Sequence, residues 1–227
     1  MQSLLDAKSA LVPWASGPYG VNLSLCILEY VAVNTLWCAA RGKWPPRRTL
    51  ARQVSVSVAA APWYAILPTA MEHLALSGAT RLHAGPLRLR EVLIFLAVTD
   101  VCVYAVHRAL HEIRWLYTRI HRRHHEYKTP GDLSPFASLA FHPLDGLAQA
   151  APYALAALVL PCHLGAWEVL LFLTGVWSSS IHDDESWASV PGVLGAKHHT
   201  LHHTAFRCNY GQYLTTCDWL FGTLKNP

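Results

Sequence analysis

Apolar positions gather into four regions separated by short polar or basic segments. Residues 21–40 are mainly apolar and match the roughly 20 residues that cross a bilayer as a helix. Residues 54–76 form a second region and carry Pro62 and Pro68, which membrane helices tolerate when the freed carbonyls find other partners. Residues 92–110 form a third, interrupted by Asp100. The fourth, 147–181, is broken at Pro161-Cys162-His163 into 147–160 and 164–181. The first half is short for a full crossing, so the pattern predicts a helical hairpin that enters and leaves on one face. There is no internal repeat and no long polar linker. The expectation is one all-α integral-membrane domain over residues 1–227, with about four transmembrane helices or hairpins.

Composition sharpens this. Only 14% of the residues are charged while 52% are hydrophobic, with nine Trp and nine Tyr. Soluble domains carry about 25% charge, so lipid is the expected solvent for much of the surface. The net charge of +4 matters less than its placement. Arg41, Lys43, Arg47, Arg48 and Arg52 follow the first apolar region directly. Beside a hydrophobic span such a cluster reads as a cytoplasmic anchor rather than a nucleic-acid patch. The end of the third span then falls on the same, cytosolic side, whereas Arg81, Arg88 and Arg90 fall in the lumen and run against the rule. Cys26, Cys38, Cys102, Cys162, Cys208 and Cys217 show no CxxC and no metal-site spacing, and read as reduced thiols. The first residues have no basic n-region ahead of an apolar core, so no removable leader is expected.

The fourteen histidines are grouped. His107 and His111 form HxxxH; His121, His124 and His125 form HxxHH; His199, His202 and His203 form a second HxxHH. Positions i, i+3 and i+4 share a helix face, so each box is expected to aim its imidazoles at one point. One HxxxH alone is more often a packed or surface pair. Three boxes together would bury eight imidazoles, at about 1–3 kcal/mol for each one left unpaired, and metal is the economical explanation. Four-coordinate zinc would leave half of these ligands unused, so two ions of higher coordination number fit better. Imidazole accepts iron, zinc, copper and nickel alike, and ligand type does not choose among them.

Asp100 and Tyr104 precede His107 by seven and three residues, near the same helical face. An ionisable residue inside a span is a functional candidate. Asp100 is expected to orient a ligand imidazole by accepting its distal N–H, against the alternative of a salt bridge to Arg108 or Arg114. Asp100, Tyr104 and Thr204, which closes the last box, are the candidate catalytic residues.

The three boxes resemble those of the fatty acid hydroxylase and sterol desaturase superfamily of membrane di-iron oxygenases. The likeness covers residues 100–224, and the family's catalytic region is placed at 92–224. Leu133-Ser134-Pro135-Phe136-Ala137, Ala140-Phe141-His142-Pro143-Leu144-Asp145-Gly146, His199-Thr200-Leu201-His202-His203-Thr204, Asn209-Tyr210-Gly211 and the 218–224 segment look most like the Δ7-sterol C5(6)-desaturases (lathosterol oxidases), plant type especially. The resemblance implies a multi-pass protein of the endoplasmic reticulum with a cytosol-facing di-iron site. It implies O2 as oxidant, and electrons from NADH through cytochrome b5 and its reductase. It carries the ligand role onto His107, His111, His121, His124, His125, His199, His202 and His203, and onto His182. It leaves His142 between ligation and support. His73, His83, His163 and His198 read as bystanders. Asp183-Asp184-Glu185 is more acidic than the family pattern beside His182.

The reaction implied is a C5=C6 double bond placed in a Δ7-sterol. Hydroxylation of a sterol, fatty acyl or sphingoid lipid, or oxidation of a C4-methylsterol, is the alternative within the superfamily. A non-catalytic membrane metal-binding protein is the alternative outside it. Phe136, Phe141, Trp177 and Phe206 are candidate pocket residues, or plain core and interface residues.

Overall fold

The structure, a computed structural model, describes residues 1–128, 131–183 and 190–227. Asp184 and Glu185 of the acidic triplet lie outside the described residues. The described chain is almost entirely helical: α1 (Gln2–Ser9), α2 (Gly17–Arg41), α3 (Arg47–Tyr64), α4 (Ile66–Leu76), α5 (Leu89–Glu112), α6 (Arg114–Arg119), α7 (Pro143–Val159), α8 (Leu164–Ile181), α9 (Ala196–Ala205) and α10 (Thr216–Leu220). Two 3-10 turns, His121–Glu126 and Pro135–Ala137, lie between α6 and α7. The two strands are only two residues each, β1 (Leu82–His83) and β2 (Cys162–His163).

Local chemistry sets the breaks. Gly42 ends α2 at φ 62°, donating to the Ala39 carbonyl while Lys43 N–H reaches Cys38. That left-handed closure suits glycine, and Pro45-Pro46 then leads into α3. The second apolar region is two helices rather than one, joined at Ala65. Pro68 has no N–H to donate to the Tyr64 carbonyl, so the helix breaks at this point.

Among the described residues three stretches are long and apolar enough to cross a membrane: Gly17–Arg41, Arg47–Leu76 and Leu164–Ile181. The Leu28, Val31, Leu36, Val169, Phe172 and Leu173 side chains stand exposed on them, as expected of a chain solvated by lipid. Inside, Met71, Phe95, Val103, Tyr153, Trp167 and Leu170 form the main core between α4, α5, α7 and α8. Ala154, Ala156 and Ala157 let α7 approach its neighbours closely.

The fourth apolar region breaks at 160–163 into α7 and α8, and the chain turns back there. β1 and β2 pair in parallel, Leu82 against Cys162 and His83 against His163, which ties the α4–α5 loop to the α7–α8 turn at one end of the bundle. α5 and α8 both start there, so His111 and His182, near their C-termini, reach the opposite end together. The basic cluster shares that opposite end, since Arg52 pairs with Glu126 and Arg41 with Asp183. The six cysteines are free thiols.

Candidate metal centre

α5 supplies His107 and His111, one turn apart on its last two turns. The chain then reverses through α6, and the 3-10 turn His121–Glu126 brings in His121, His124 and His125. α8 ends on His182 as its C-cap, and α9 presents His199, His202 and His203. All of these side chains are buried except that of His111, which is half-buried.

Their ring nitrogens assemble into two groups among the described residues. The first holds His107, His111, His121, His125 and His202; the second holds His124, His182, His199 and His203. Within each group one nitrogen per residue lies within 4.8 Å of the others. Each HxxHH box is therefore split between the groups, contrary to the expectation that it aims at one point. Helical geometry explains the split on α9. Neighbouring residues diverge by about 100° around the axis, so His202 and His203 cannot face one ion, and each turns to a different group. His199 and His203, four apart, stay together. The first box is a 3-10 turn and not an α-helix, and it divides likewise: His121 and His125 go one way and His124 the other.

Four of the rings have their tautomer fixed by an acceptor on Nδ1. His107 donates to the Tyr210 carbonyl at 2.9 Å, His202 to that of Cys208 at 2.8 Å, His182 to that of Ser178 at 2.6 Å, and His121 to Asp145 Oδ2 at 2.8 Å. Each Nε2 is thereby left as a lone pair facing the group's interior. The Nε2 atoms of His107, His111 and His202 are buried without a hydrogen-bond partner. Others face one another: His121 and His125 at 3.1 Å, His182 and His124 at 3.3 Å, His199 and His182 at 3.1 Å, His203 and His199 at 3.0 Å. Two nitrogens about 2.1 Å from one ion and roughly at right angles are separated by about 3 Å. The donor sets thus fit two metal ions.

Burial first, and then the neighbouring imidazoles, hold His124, His125, His199, His202 and His203 well below the usual histidine range. The rings are neutral at physiological pH, as ligation requires.

The three candidate catalytic residues make their hydrogen bonds to groups other than the clustered imidazoles. Asp100 is buried, but its Oδ1 accepts the Tyr213 backbone N–H at 2.9 Å and not an imidazole. It pins the 210–214 loop across α5. Of the two arginines in the alternative, Arg108 and Arg114, Arg108 pairs with Glu112. Tyr104 hydrogen-bonds Thr223 at 3.0 Å and Arg108 at 3.1 Å, and stacks on Phe221. Thr204 is exposed and donates back to the Thr200 and Leu201 carbonyls. His142 belongs to neither group; it caps α7, its Nδ1 accepting from Leu144 N–H. His83 instead pairs with Glu91 at 2.8 Å at the other end of the bundle. Of the candidate pocket aromatics, Phe141 and Phe206 lie against His124 and His125, with ring centres 4.5 and 5.3 Å away. Phe136 packs on Tyr30 in the core, and Trp177 donates to the Gln212 carbonyl.

A carboxylate that does hold one of the clustered imidazoles is Asp145, fully buried with His121. A second, Asp218, acts one step further out. Its two oxygens accept the Tyr210 and Gly211 N–H groups at 2.8 Å each, fixing the carbonyl that holds His107. The sequence offered a signal for both, since Asp145 lies in the AFHPLDG segment and Asp218 opens the 218–224 segment, but none that assigned a partner.

The family model for fatty acid hydroxylases matches residues 92–223. The putative Δ7-sterol-C5(6)-desaturase 2 of Arabidopsis thaliana is 40% identical over 189 residues, covering 81% of this chain and 67% of the relative. The Δ7-sterol-C5(6)-desaturase of Nicotiana tabacum is 37% identical over 221 residues, covering 88% and 80%. The lathosterol oxidase of Homo sapiens is 40% identical over 189 residues, covering 78% and 61%. No solved structure matches the chain. The histidine groups, the matched region and these relatives agree: the chain belongs to the fatty acid hydroxylase family.

Proposed function

We propose that this protein is a sterol C5(6)-desaturase, an oxidoreductase that places a C5=C6 double bond in Δ7-sterols during sterol biosynthesis. The observation that carries the reading is the pair of adjoining buried histidine groups in a chain related to enzymes of that name. His107, His111, His121, His125 and His202 hold one iron, and His124, His182, His199 and His203 the other. Removing hydrogen from an unactivated sterol carbon is beyond any side-chain base, and the two irons supply that oxidising power from O2. The balance is one sterol C–C single bond to a double bond, with O2 reduced to two waters by the substrate's two electrons and two more from NADH. Cytochrome b5 and its reductase deliver the latter.

The chain's own residues set the conditions. Asp145 and the Tyr210, Cys208 and Ser178 carbonyls orient four imidazoles, and Asp218 holds the Tyr210 loop. Phe141 and Phe206 shield the groups from water. Arg41–Arg52 and the metal groups share one end of the bundle, and the excess of positive charge there supports a cytosolic position for that end. The membrane is that of the endoplasmic reticulum. Both groups lie at this one end and not through the membrane's depth, which speaks against a transporter.

The test is the sterol profile of cells lacking sterol C5(6)-desaturase, with cytochrome b5 present, that express the chain. Δ7-sterols should give way to Δ5,7-sterols. Unchanged Δ7-sterols beside new hydroxylated sterols or fatty acids would replace this reading with the hydroxylase one.

A further inference from the structure

The loop between α9 and α10 does not stay with the histidine groups at their end of the bundle. Its course is marked on two long helices at once. The Tyr213 N–H donates to Asp100 Oδ1 at 2.9 Å, and Asp100 is the twelfth of the 24 residues of α5. The Tyr213 hydroxyl lies 2.6 Å from Thr174 Oγ1 on α8 and 2.9 Å from the Tyr153 hydroxyl on α7. Thr174 precedes the last residue of α8 by seven positions, about 10 Å at 1.5 Å per residue. Asp100 precedes the last residue of α5 by twelve, about 18 Å. The loop thus descends from the histidine-bearing end to the middle of α5. α10 brings the chain back, and Phe221 stacks on Tyr104, three residues before His107.

Irregular backbone at membrane depth has no water to bond, so protein groups must satisfy it. Here side chains do much of that. Asp218 takes the Tyr210 and Gly211 N–H groups, and Asp100 takes that of Tyr213. His107 donates to the Tyr210 carbonyl, Trp177 to that of Gln212, and the Leu194 N–H to that of Tyr213. The buried carboxylate of Asp100 thereby has a use that needs no imidazole. The outward side chains are of the opposite kind. Leu214, Trp219, Leu220 and Phe221 are exposed, Trp219 at 72% and Leu220 at 64%. A patch of this sort facing water would invite association. Phe221 joins it to α5, because Tyr104 lies one turn from Val101, which is exposed with Leu93, Ile94 and Val98 along that helix.

We propose that residues 209–223 form a re-entrant membrane segment. The chain enters the hydrocarbon from the histidine-bearing face, descends to the level of Asp100 and returns on α10, with Leu214, Trp219, Leu220 and Phe221 against lipid acyl chains. The partner of this surface is the bilayer itself, continuous with the lipid around α5. The site feels the consequence. The Tyr210 carbonyl that orients His107, and the Asp218 carboxylate that fixes Tyr210, both belong to this segment. Lipid therefore supports the first histidine group from the membrane side. The proposal rests on α5 and α8 crossing the membrane and not on the sterol reading.

The test places a fluorophore on a single added cysteine, Leu214→Cys, Leu220→Cys, Arg207→Cys or Val98→Cys, in the full metal-loaded chain reconstituted in lipid vesicles. The exposed Cys102 is replaced by Ser, and the chain without an added cysteine gives the background. Emission is quenched either by lipids brominated on their acyl chains or by aqueous iodide. Labels at Val98, Leu214 and Leu220 should lose most of their emission to brominated lipid and little to iodide. The label at Arg207, exposed ahead of the segment, should do the reverse. Thr216→Cys and Trp219→Cys, also at exposed positions, replace Leu214→Cys and Leu220→Cys where these do not retain metal. Iodide quenching at the segment positions overturns the proposal, because the loop is then a water-facing cap. Lipid quenching on α10 with iodide quenching at Leu214 overturns the descent. Protection from both quenchers overturns it too, since protein, such as a second copy of the chain, then covers the patch. A Val98 label open to iodide removes α5 from the membrane and the proposal with it. Turnover is read in the same vesicles. Lipid-quenched labels without desaturation sink the enzyme reading and keep the segment; desaturation with iodide-quenched labels does the reverse.

Discussion

Replacing Asp145 by Asn probes the link between a buried hydrogen bond and one metal ion. Asp145 Oδ2 accepts from His121 Nδ1 at 2.8 Å and Oδ1 accepts from Gln149 Nε2 at 2.9 Å, with Asp145 and His121 fully buried. Asparagine keeps the size but offers one oxygen to two donors, so the Gln149 amide must turn to present its own oxygen. What His121 loses is the charge on its acceptor. Hydrogen bonds to charged groups contribute about 1.5–3 kcal/mol against about 1 for neutral ones. The difference corresponds to roughly a tenfold change, at the lower edge of the 10–100-fold losses typical when a group behind a metal ligand is removed. His121 belongs to the first histidine group alone. Asp145→Asn should therefore release one ion at about tenfold lower chelator concentration and hold the other as the wild type does. The assay is metal content after dialysis against graded chelator, with turnover in parallel. Equal retention of both ions with unchanged turnover refutes the reasoning; equal loss of both refutes the assignment of His121 to one group.

Three further outcomes follow from the same geometry. His124, His125, His199, His202 and His203 are depressed in the fold, so the unfolded chain takes up protons first as pH falls through about 6.5, and the folded state loses stability below that. Chelator-treated protein should show a thermal midpoint that is steady above pH 7.5 and drops steeply between pH 6.5 and 5; a flat profile would contradict neutral buried rings. Gly211→Ala would set a Cβ 2.5 Å from the Leu214 carbonyl oxygen and 3.0 Å from Asp218 Oδ2, so it should loosen the loop that holds His107 and lower metal content, whereas Gly192→Ala, at a positive φ of 82° with open space around it, should only strain its own turn. Single reactive cysteines at Arg122 and Lys197 should be labelled from one face of the membrane, the cytosolic one; labelling from opposite faces would break the single centre.

Much of this architecture is legible in the chain. The apolar regions, the break at Pro161-Cys162-His163 and the basic cluster after residue 40 mark the helices, the returning hairpin and the end that carries the histidines. What periodicity conveys, however, is the face of one helix and not the partner across from it. Asp100 lies on the histidine side of α5, yet its partner is a backbone N–H more than a hundred residues away, and the role expected of it falls to Asp145. The splitting of the HxxHH boxes was hidden for a related reason. The i, i+3, i+4 rule says that three rings share a broad face, but ligation needs them to share a point. The 100° between adjacent residues forbids that, and only a second box facing the first turns the division into two sites. His142 shows the opposite hazard, a histidine inside a family-like segment whose observed contact is a helix cap.

Two histidine groups are built from interleaved boxes, and the metal content of the purified chain tests most directly whether each holds an ion. Protein from an iron-replete host should hold about two non-haem metal ions per chain, one for each group. His202→Ala and His203→Ala, neighbours in sequence, should each weaken a different one of them. A single ion per chain, or two ions unaffected by either substitution, would contradict it.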